Sequence, residues 1–121
     1  MQVCYRIWLD NKGKAFGEGP YRLLKGVAET GSLYQAAARL RMSYRKAWNV
    51  LNDVEKRLGF TLLERKVGGP SGGGSTVTSR GQELVRHYEC FRQEIDQQIR
   101  QTFHKHFGHM DFSDEAPAQA Q

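Results

Sequence analysis

Apolar residues recur at helical spacing in several stretches of this chain. Between residues 19 and 30 the positions Tyr21, Leu23, Leu24, Val27 and Ala28 stand mostly three or four apart, the spacing of one helix face. Gly19-Pro20 opens this stretch, because proline suits the first helical turn, and Thr30-Gly31 closes it with a C-terminal glycine. A second helix is predicted at once. Ser32 offers an N-cap and Gln35 the other half of a capping box, ahead of the Ala-rich run Leu33-Tyr34-Gln35-Ala36-Ala37-Ala38-Arg39-Leu40. Small side chains in that run let another helix come close. Arg41-Met42 makes a tight link to a further cap, Ser43, and to a third helix over 44–58. Ala47, Val50, Leu51, Val54 and Leu58 form its apolar face, and Gly59 ends it.

The remaining pattern predicts strands and one long helix. Residues 3–9 alternate in part, Asp10-Asn11-Lys12-Gly13 has turn chemistry, and 14–17 predict a short return strand. Residues 60–65 predict a strand, 67–75 a loop holding five glycines, and 76–78 a strand back. Together they form a hairpin, a wing. Thr78 or Ser79 caps a fourth helix, with Ser79 and Gln82 as a capping box, running from about residue 80 to 103 or beyond. Its apolar stripe is Leu84, Tyr88, Phe91, Ile95, Ile99 and Phe103. The polar, acidic stretch 108–121 is expected to be a disordered tail. The expected organisation is an N-terminal strand or hairpin (1–18), a winged helix-turn-helix (19–78), a long helix (79–107) and the tail. The fold class is mainly α with a small β-hairpin, a winged helix-turn-helix with a long C-terminal dimerisation helix.

Charge adds a partner. The formal net charge is +5 over 121 residues, which permits nucleic-acid binding. Its distribution is more informative. Arg39, Arg41, Arg45, Lys46, Lys56, Arg57, Arg65 and Lys66 face only Asp53, Glu55 and Glu64 within 39–66. Two short helices joined by two residues are the grammar of a helix-turn-helix, whose second helix enters the major groove by its N-terminal part. That part is Ser43, Tyr44, Arg45 and Lys46, then Trp48, Asn49 and Asn52. Arginine reads guanine O6 and N7 bidentately and asparagine pairs with adenine. Hydroxyls and free amides at a helix start hold phosphate oxygens. Ser32 belongs to the same surface, and Arg65, Lys66, Ser71, Ser75 and Thr76 place the wing near phosphates or the minor groove.

Blander alternatives stand beside these assignments. The helix pair alone also fits a helical hairpin with a solvated charged face, and the glycines a flexible loop. The glycine loop is no P-loop, since Gly-Gly-Gly-Ser-Thr leads into a strand rather than a Gly-Lys-Ser/Thr helix start. Trp48 reads equally as core or contact, and Trp8 as core. Cys4 and Cys90, far apart, read as free thiols. His104, His106 and His109 lack an acidic or Cys ligand nearby, and i and i+2 do not share a helix face, so no metal is expected. No nucleophile–base pair or cofactor fingerprint is visible, so neither an enzyme nor a cofactor is expected. The start MQVCYRIWLD lacks signal-peptide grammar and no run suits a bilayer. A cytoplasmic protein with no membrane partner is expected. The fourth helix can pair with a second copy or cover the strand at 3–9, and both roles can share its length.

The segment Gly31-Ser32-Leu33, Ala36-Ala37-Ala38-Arg39-Leu40, Met42-Ser43, Ala47, Leu51, Val54-Glu55, Leu58-Gly59, Leu62-Leu63-Glu64-Arg65, Thr78 and Gly81 resembles the N-terminal domain of LysR-type regulators. It resembles still more closely that of the ModE family of molybdate-responsive regulators, through MSYRKAW and the glycine-rich wing. The resemblance covers about residues 20–100. It implies a winged helix that binds operator DNA as a homodimer, with Ser43 to Asn52 on the recognition helix and Arg65 to Thr76 on the wing. Full-length ModE proteins continue into molybdate-binding domains, whereas this chain stops at Gln121. A single-domain relative without that sensing route is expected, its effector unknown. The rival class is a winged-helix protein-interaction module that does not read DNA.

Overall fold

The computed structural model describes residues 1–66 and 74–112, with the side chain of Lys66 left out. Its elements run β1 (Trp8–Asp10), β2 (Lys14–Gly17), α1 (Glu18–Thr30), α2 (Leu33–Arg39), α3 (Tyr44–Leu58), β3 (Leu63–Lys66), β4 (Gly74–Val77) and α4 (Ser79–Phe107). β1 pairs antiparallel with β2 and β3 with β4, each pair a separate two-stranded sheet. The expected class, mainly helical with a winged hairpin, is what the chain adopts. The expected tail lies outside the described residues from 113 onward.

The core is built by α1, α2 and α3 around Leu23, Leu24, Val27, Leu33, Ala36, Ala47 and Leu51, closed from the sides by Phe16, Leu62, Val77, Val85 and Tyr88. All three expected Ser/Thr caps sit at a residue named, Thr78 being one of the two offered for α4. Ser32 Oγ accepts from the Gln35 N–H and Ser43 Oγ from the Lys46 N–H. The first capping box is not reciprocal, because the Ser32 N–H donates to Thr30 Oγ1 instead. At α4 the cap is Thr78, whose Oγ1 accepts from Gly81, while the Gln82 side chain donates back to the Val77 carbonyl. α1 begins at Glu18, so Pro20 sits within its first turn rather than at its first position.

One position on α1 was misplaced by the periodicity. Ala28 is exposed, and Gly26 takes its place on the buried face. A Cβ on Gly26 would stand 2.7 Å from Ala36 Cβ and 3.1 Å from Ala36 Cα. The two helices therefore touch backbone to backbone, and only glycine admits the contact. α2 then turns into α3 through Arg41, whose φ of 55° lies in the left-handed region.

The N-terminal hairpin is shorter than expected. β1 starts at Trp8 because β2 ends at its partner Gly17. Residues 1–7 run on along α4, where the Tyr5 hydroxyl bonds Asp96 and the Tyr88 hydroxyl donates to the Ile7 carbonyl. Trp8, expected in the core, is 51% exposed. Successive strand residues face opposite sides, and Phe16, opposite Leu9, joins the core, while Trp8 stands opposite Gly17 on the other side. β3 also starts late. Leu62 and Leu63 first donate their N–H groups to the Glu55 carboxylate at 2.6 and 3.3 Å.

An ion pair holds α4 to α1. Arg92 Nη1 reaches both Glu18 carboxylate oxygens, and its guanidinium stacks near the rings of Tyr21 and Tyr88. Burial pushes the Glu18 pKa up, but the hydrogen bond and charge of Arg92 outweigh it, and the net shift is downward. Glu89 is also lowered, first by the hydrogen bond from Tyr21. Tyr21 is pushed up to about 12, by burial and then by Glu89.

Two stability outcomes follow from this packing. Gly26→Ala should destabilise by about 1–3 kcal/mol through overpacking, despite alanine's better helix propensity. Gly19→Ala, with nothing within 4 Å of its Cβ, should instead stabilise by about 0.4–1 kcal/mol. Urea unfolding of both checks the contrast, and a stabilised Gly26→Ala would contradict the helix contact. For pH, the lowered carboxyls contribute stability above their ordinary value of 4.5, lost as pH falls through their folded values. Arg92→Met should flatten the fall in melting temperature below about pH 4.5, and an unaltered acid slope would count against the pair.

Candidate nucleic-acid interface

The start of α3 stands clear of the core. Ala47, Leu51 and Val54 are its buried positions, one per turn. That register leaves Ser43, Tyr44, Arg45, Lys46 and Asn49 exposed on its N-terminal half. Asn52 is half-buried and lines a small cleft with Trp48, Glu55 and Arg65. Trp48, read as core or contact, is partly buried against the core. Its ring packs against the core, and the Arg65 guanidinium lies 4.5 Å from its centroid. The base of the wing is thus tied to the middle of α3.

Most of the cations at this surface have no ion pair among the described residues. Arg39 is engaged by Glu29 at 2.6 Å, and Arg57 donates to the Lys12 carbonyl at 2.5 Å. Arg41, Arg45, Lys46, Lys56 and Arg65 have no ion pair among the described residues. Glu55, the acid within reach of α3's middle, spends its carboxylate on the Leu62 and Leu63 amides.

The wing strands bring in Arg65, Thr76 and the backbone of Lys66, with Arg65 opposite Ser75 and Lys66 opposite Gly74. Thr76 and Arg65 are exposed. Ser75 is corrected as a contact. It is 9% exposed and its N–H donates to the Gly31 carbonyl at 2.9 Å, fastening β4 to the end of α1. Gly74 sits in the same close approach, where a Cβ would stand 2.9 Å from that carbonyl. Ser71 and the Lys66 side chain lie outside the described residues. Ser32 is half-buried at the head of α2 and lines a cleft of about 210 Å³ with Tyr34, Tyr44, Arg65 and Ser75.

Tyr34 was missed by the sequence reading. It is 69% exposed, its ring 6.5 Å from that of Tyr44. The signal was present. α2 buries Leu33, Ala36 and Ala37, so an aromatic one residue past Leu33 has to face outward.

The stripe expected for dimerisation divides along α4. Tyr88, expected at the dimer stripe, lies instead in the chain's own core, 2% exposed, with the Phe16 ring edge-on at 5.1 Å. Leu84 also packs against that core. Phe91 is exposed, and Ile95, Ile99 and Phe103 are half-buried. Ile99 and Phe103 share a cleft with Met1, Val3 and Tyr5, so the N-terminal segment covers part of this end. Among the described residues no helix is long and apolar enough to cross a membrane.

Comparison with known proteins agrees with this geometry. The family model of bacterial regulatory helix-turn-helix proteins, lysR family, matches residues 21–82. The chain is 38% identical over 95 residues to the DNA-binding transcriptional dual regulator ModE of Escherichia coli (strain K12), covering 77% of this chain and 36% of that protein. It is 30% identical over 86 residues to the molybdenum-pterin-binding protein MopB of Rhodobacter capsulatus, covering 70% of this chain and 32% of that one. The chain spans about a third of the length of these curated relatives. Among solved structures it resembles that of the BenM_DBD/benA site 1 DNA complex, with TM-score 0.56 and 23% identity over 74% of this chain and 96% of that one. The CbnR_DBD-DNA complex matches with TM-score 0.56 and 23% identity over 70% and 93%. At that identity the two structures speak for the fold.

The Trp48–Arg65 contact is open to a direct check. A double-mutant cycle of Trp48→Leu and Arg65→Ala, read by chemical unfolding, should return a coupling of about 0.5–1 kcal/mol. Strict additivity would mean that the wing base and α3 are not held together by this stack.

Proposed function

The chain belongs to the lysR family of bacterial regulatory helix-turn-helix proteins, and on that premise we propose that it regulates transcription by binding double-stranded DNA. In this reading the start of α3 enters the major groove and the wing lies beside it on the backbone or minor groove. The observation that carries it is the exposed, unpaired start of α3 standing next to the wing strands. Arg45 and Asn49 lie one helical turn apart on that face, the reach needed to address neighbouring base edges. Tyr44 and Lys46 flank them, and with Arg65 and the head of α2 at Ser32 they face phosphates. Thr76 extends that contact along the wing.

Pairing of two copies completes the proposal. Phe91, Ile95, Ile99 and Phe103 provide an apolar stripe along the outer part of a helix of 29 residues, about 44 Å long. Two-fold pairing through it sets two recognition helices on one face of a duplex, about 34 Å or a multiple apart. A pseudo-palindromic site is the corresponding target.

Binding measurements separate readout from simple attraction. Arg45→Ala should cost about 1–3 kcal/mol on a selected site and relax base choice there. Arg65→Ala should weaken selected and random duplexes alike and lower the slope of log affinity against log salt by about 1. Equal losses for Arg45→Ala on both duplexes would reject its readout role, and no duplex binding at low salt would reject the function. For assembly, Phe91→Glu with Ile95→Glu should shift the mass measured by light scattering from dimer to monomer, and an unmoved dimer would remove α4 from the interface.

A further inference from the structure

A cleft among the described residues lies away from the α3 surface, where the N-terminal segment and β1 cross the start of α1 and the middle of α4. It is about 550 Å³ and is lined by Arg6, Trp8, Lys14, Glu18, Arg22 and Arg92, among others. That volume falls in the range of small-molecule sites, roughly 300–1,000 Å³. Its chemistry is lopsided, with four cationic side chains around one carboxylate. Glu18 is already satisfied by Arg92 at 2.5 Å and by Arg22 at 3.1 Å. Arg6 and Lys14 have no ion pair among the described residues.

An aromatic face accompanies the charge. Trp8 is 51% exposed, and the Lys14 ammonium lies 5.4 Å from its ring centroid. Large aromatic side chains are ordinarily drawn inward, and this one stands at the wall of a basic cleft. The cleft floor is firm, since the Tyr88 hydroxyl holds the Ile7 carbonyl at 3.3 Å while Arg92 spans to Glu18. A ligand therefore meets the Glu18–Arg92 clamp on one side and, on the other, an indole beside two cations without an ion pair among the described residues.

We propose that this cleft binds a small planar anion, a ring bearing a carboxylate or phosphate, with the ring on Trp8 and the oxyanion between Arg6 and Lys14. Arginine takes either oxyanion through paired N–H donors, and an adjacent ammonium adds a point charge. The ring contributes stacking and covers the exposed indole. A bare anion lacks the second contribution and a neutral ring the first, so the site selects molecules that carry both.

Isothermal titration calorimetry on the full chain tests this without DNA, so its outcome is independent of the DNA-binding function. The probes are adenosine monophosphate and phthalate, against inorganic phosphate and adenosine. At least one of the first two should bind tenfold or more tighter than both controls, and which one binds separates a phosphate from a carboxylate ligand. The Trp8 indole N–H resonance should move on binding while that of Trp48 stays. Trp8→Ala and, separately, Arg6→Ala with Lys14→Ala should each weaken binding at least tenfold. Retained duplex affinity or an unchanged melting curve establishes that these variants are folded. Absence of binding by both ring anions, binding no tighter than inorganic phosphate, or binding undiminished in the folded variants would overturn the proposal.

Discussion

Gly26 and Ala36 meet with almost nothing between their backbones, and the placement of the helix-turn-helix rests on that contact. A Cβ on Gly26 would come within 2.7 Å of Ala36 Cβ, below any distance that packed carbon atoms adopt. α2 is only seven residues long and too short to persist alone. It is a helix here because Leu33, Ala36 and Ala37 are pressed into α1. α3 follows within a turn that uses a left-handed Arg41. The direction in which Arg45 and Asn49 point is therefore set by how closely α1 and α2 approach, several residues away from either side chain.

The second requirement is that the wing keep a fixed relation to α3. Three different interactions supply it. Glu55 accepts the Leu62 and Leu63 amides and so turns the chain out of α3 into β3. The Gly31 carbonyl takes the Ser75 amide and anchors β4 to the end of α1. Arg65 lies over Trp48 and joins the two from the outside. The first two involve backbone amides that need partners wherever solvent is excluded. The third leaves a cation at the surface while giving its guanidinium a place to rest.

α4 serves two masters along its length. Its first turns, with Gly81, Val85 and Tyr88, belong to the core, and Arg92 ends that region with its bridge to Glu18. Beyond it the helix leaves the globule, accompanied by residues 1–7 through Tyr5 and Asp96. The apolar residues of this outer part are only partly covered. A regular stripe in the sequence thus becomes a core segment and a partly covered segment, separated by one half-buried ion pair.

Local chemistry determined much of this molecule. Capping serines, C-terminal glycines and helical spacing gave α2 and α3 to within a residue, because these signals act over one or two turns. The exposed cations of α3 were equally readable, since burying Ala47, Leu51 and Val54 fixes what remains outside. Tertiary structure alone decided other points. Ser75 and Tyr88 look like contacts in sequence and are inside, whereas Trp8 looks like core and is outside. Gly26, which the apolar periodicity passes over, is where two helices touch. The physical reason is common to all four. Periodicity tells which face of an element is apolar, but only the neighbouring element, brought there by long-range packing, determines where along that face solvent is excluded.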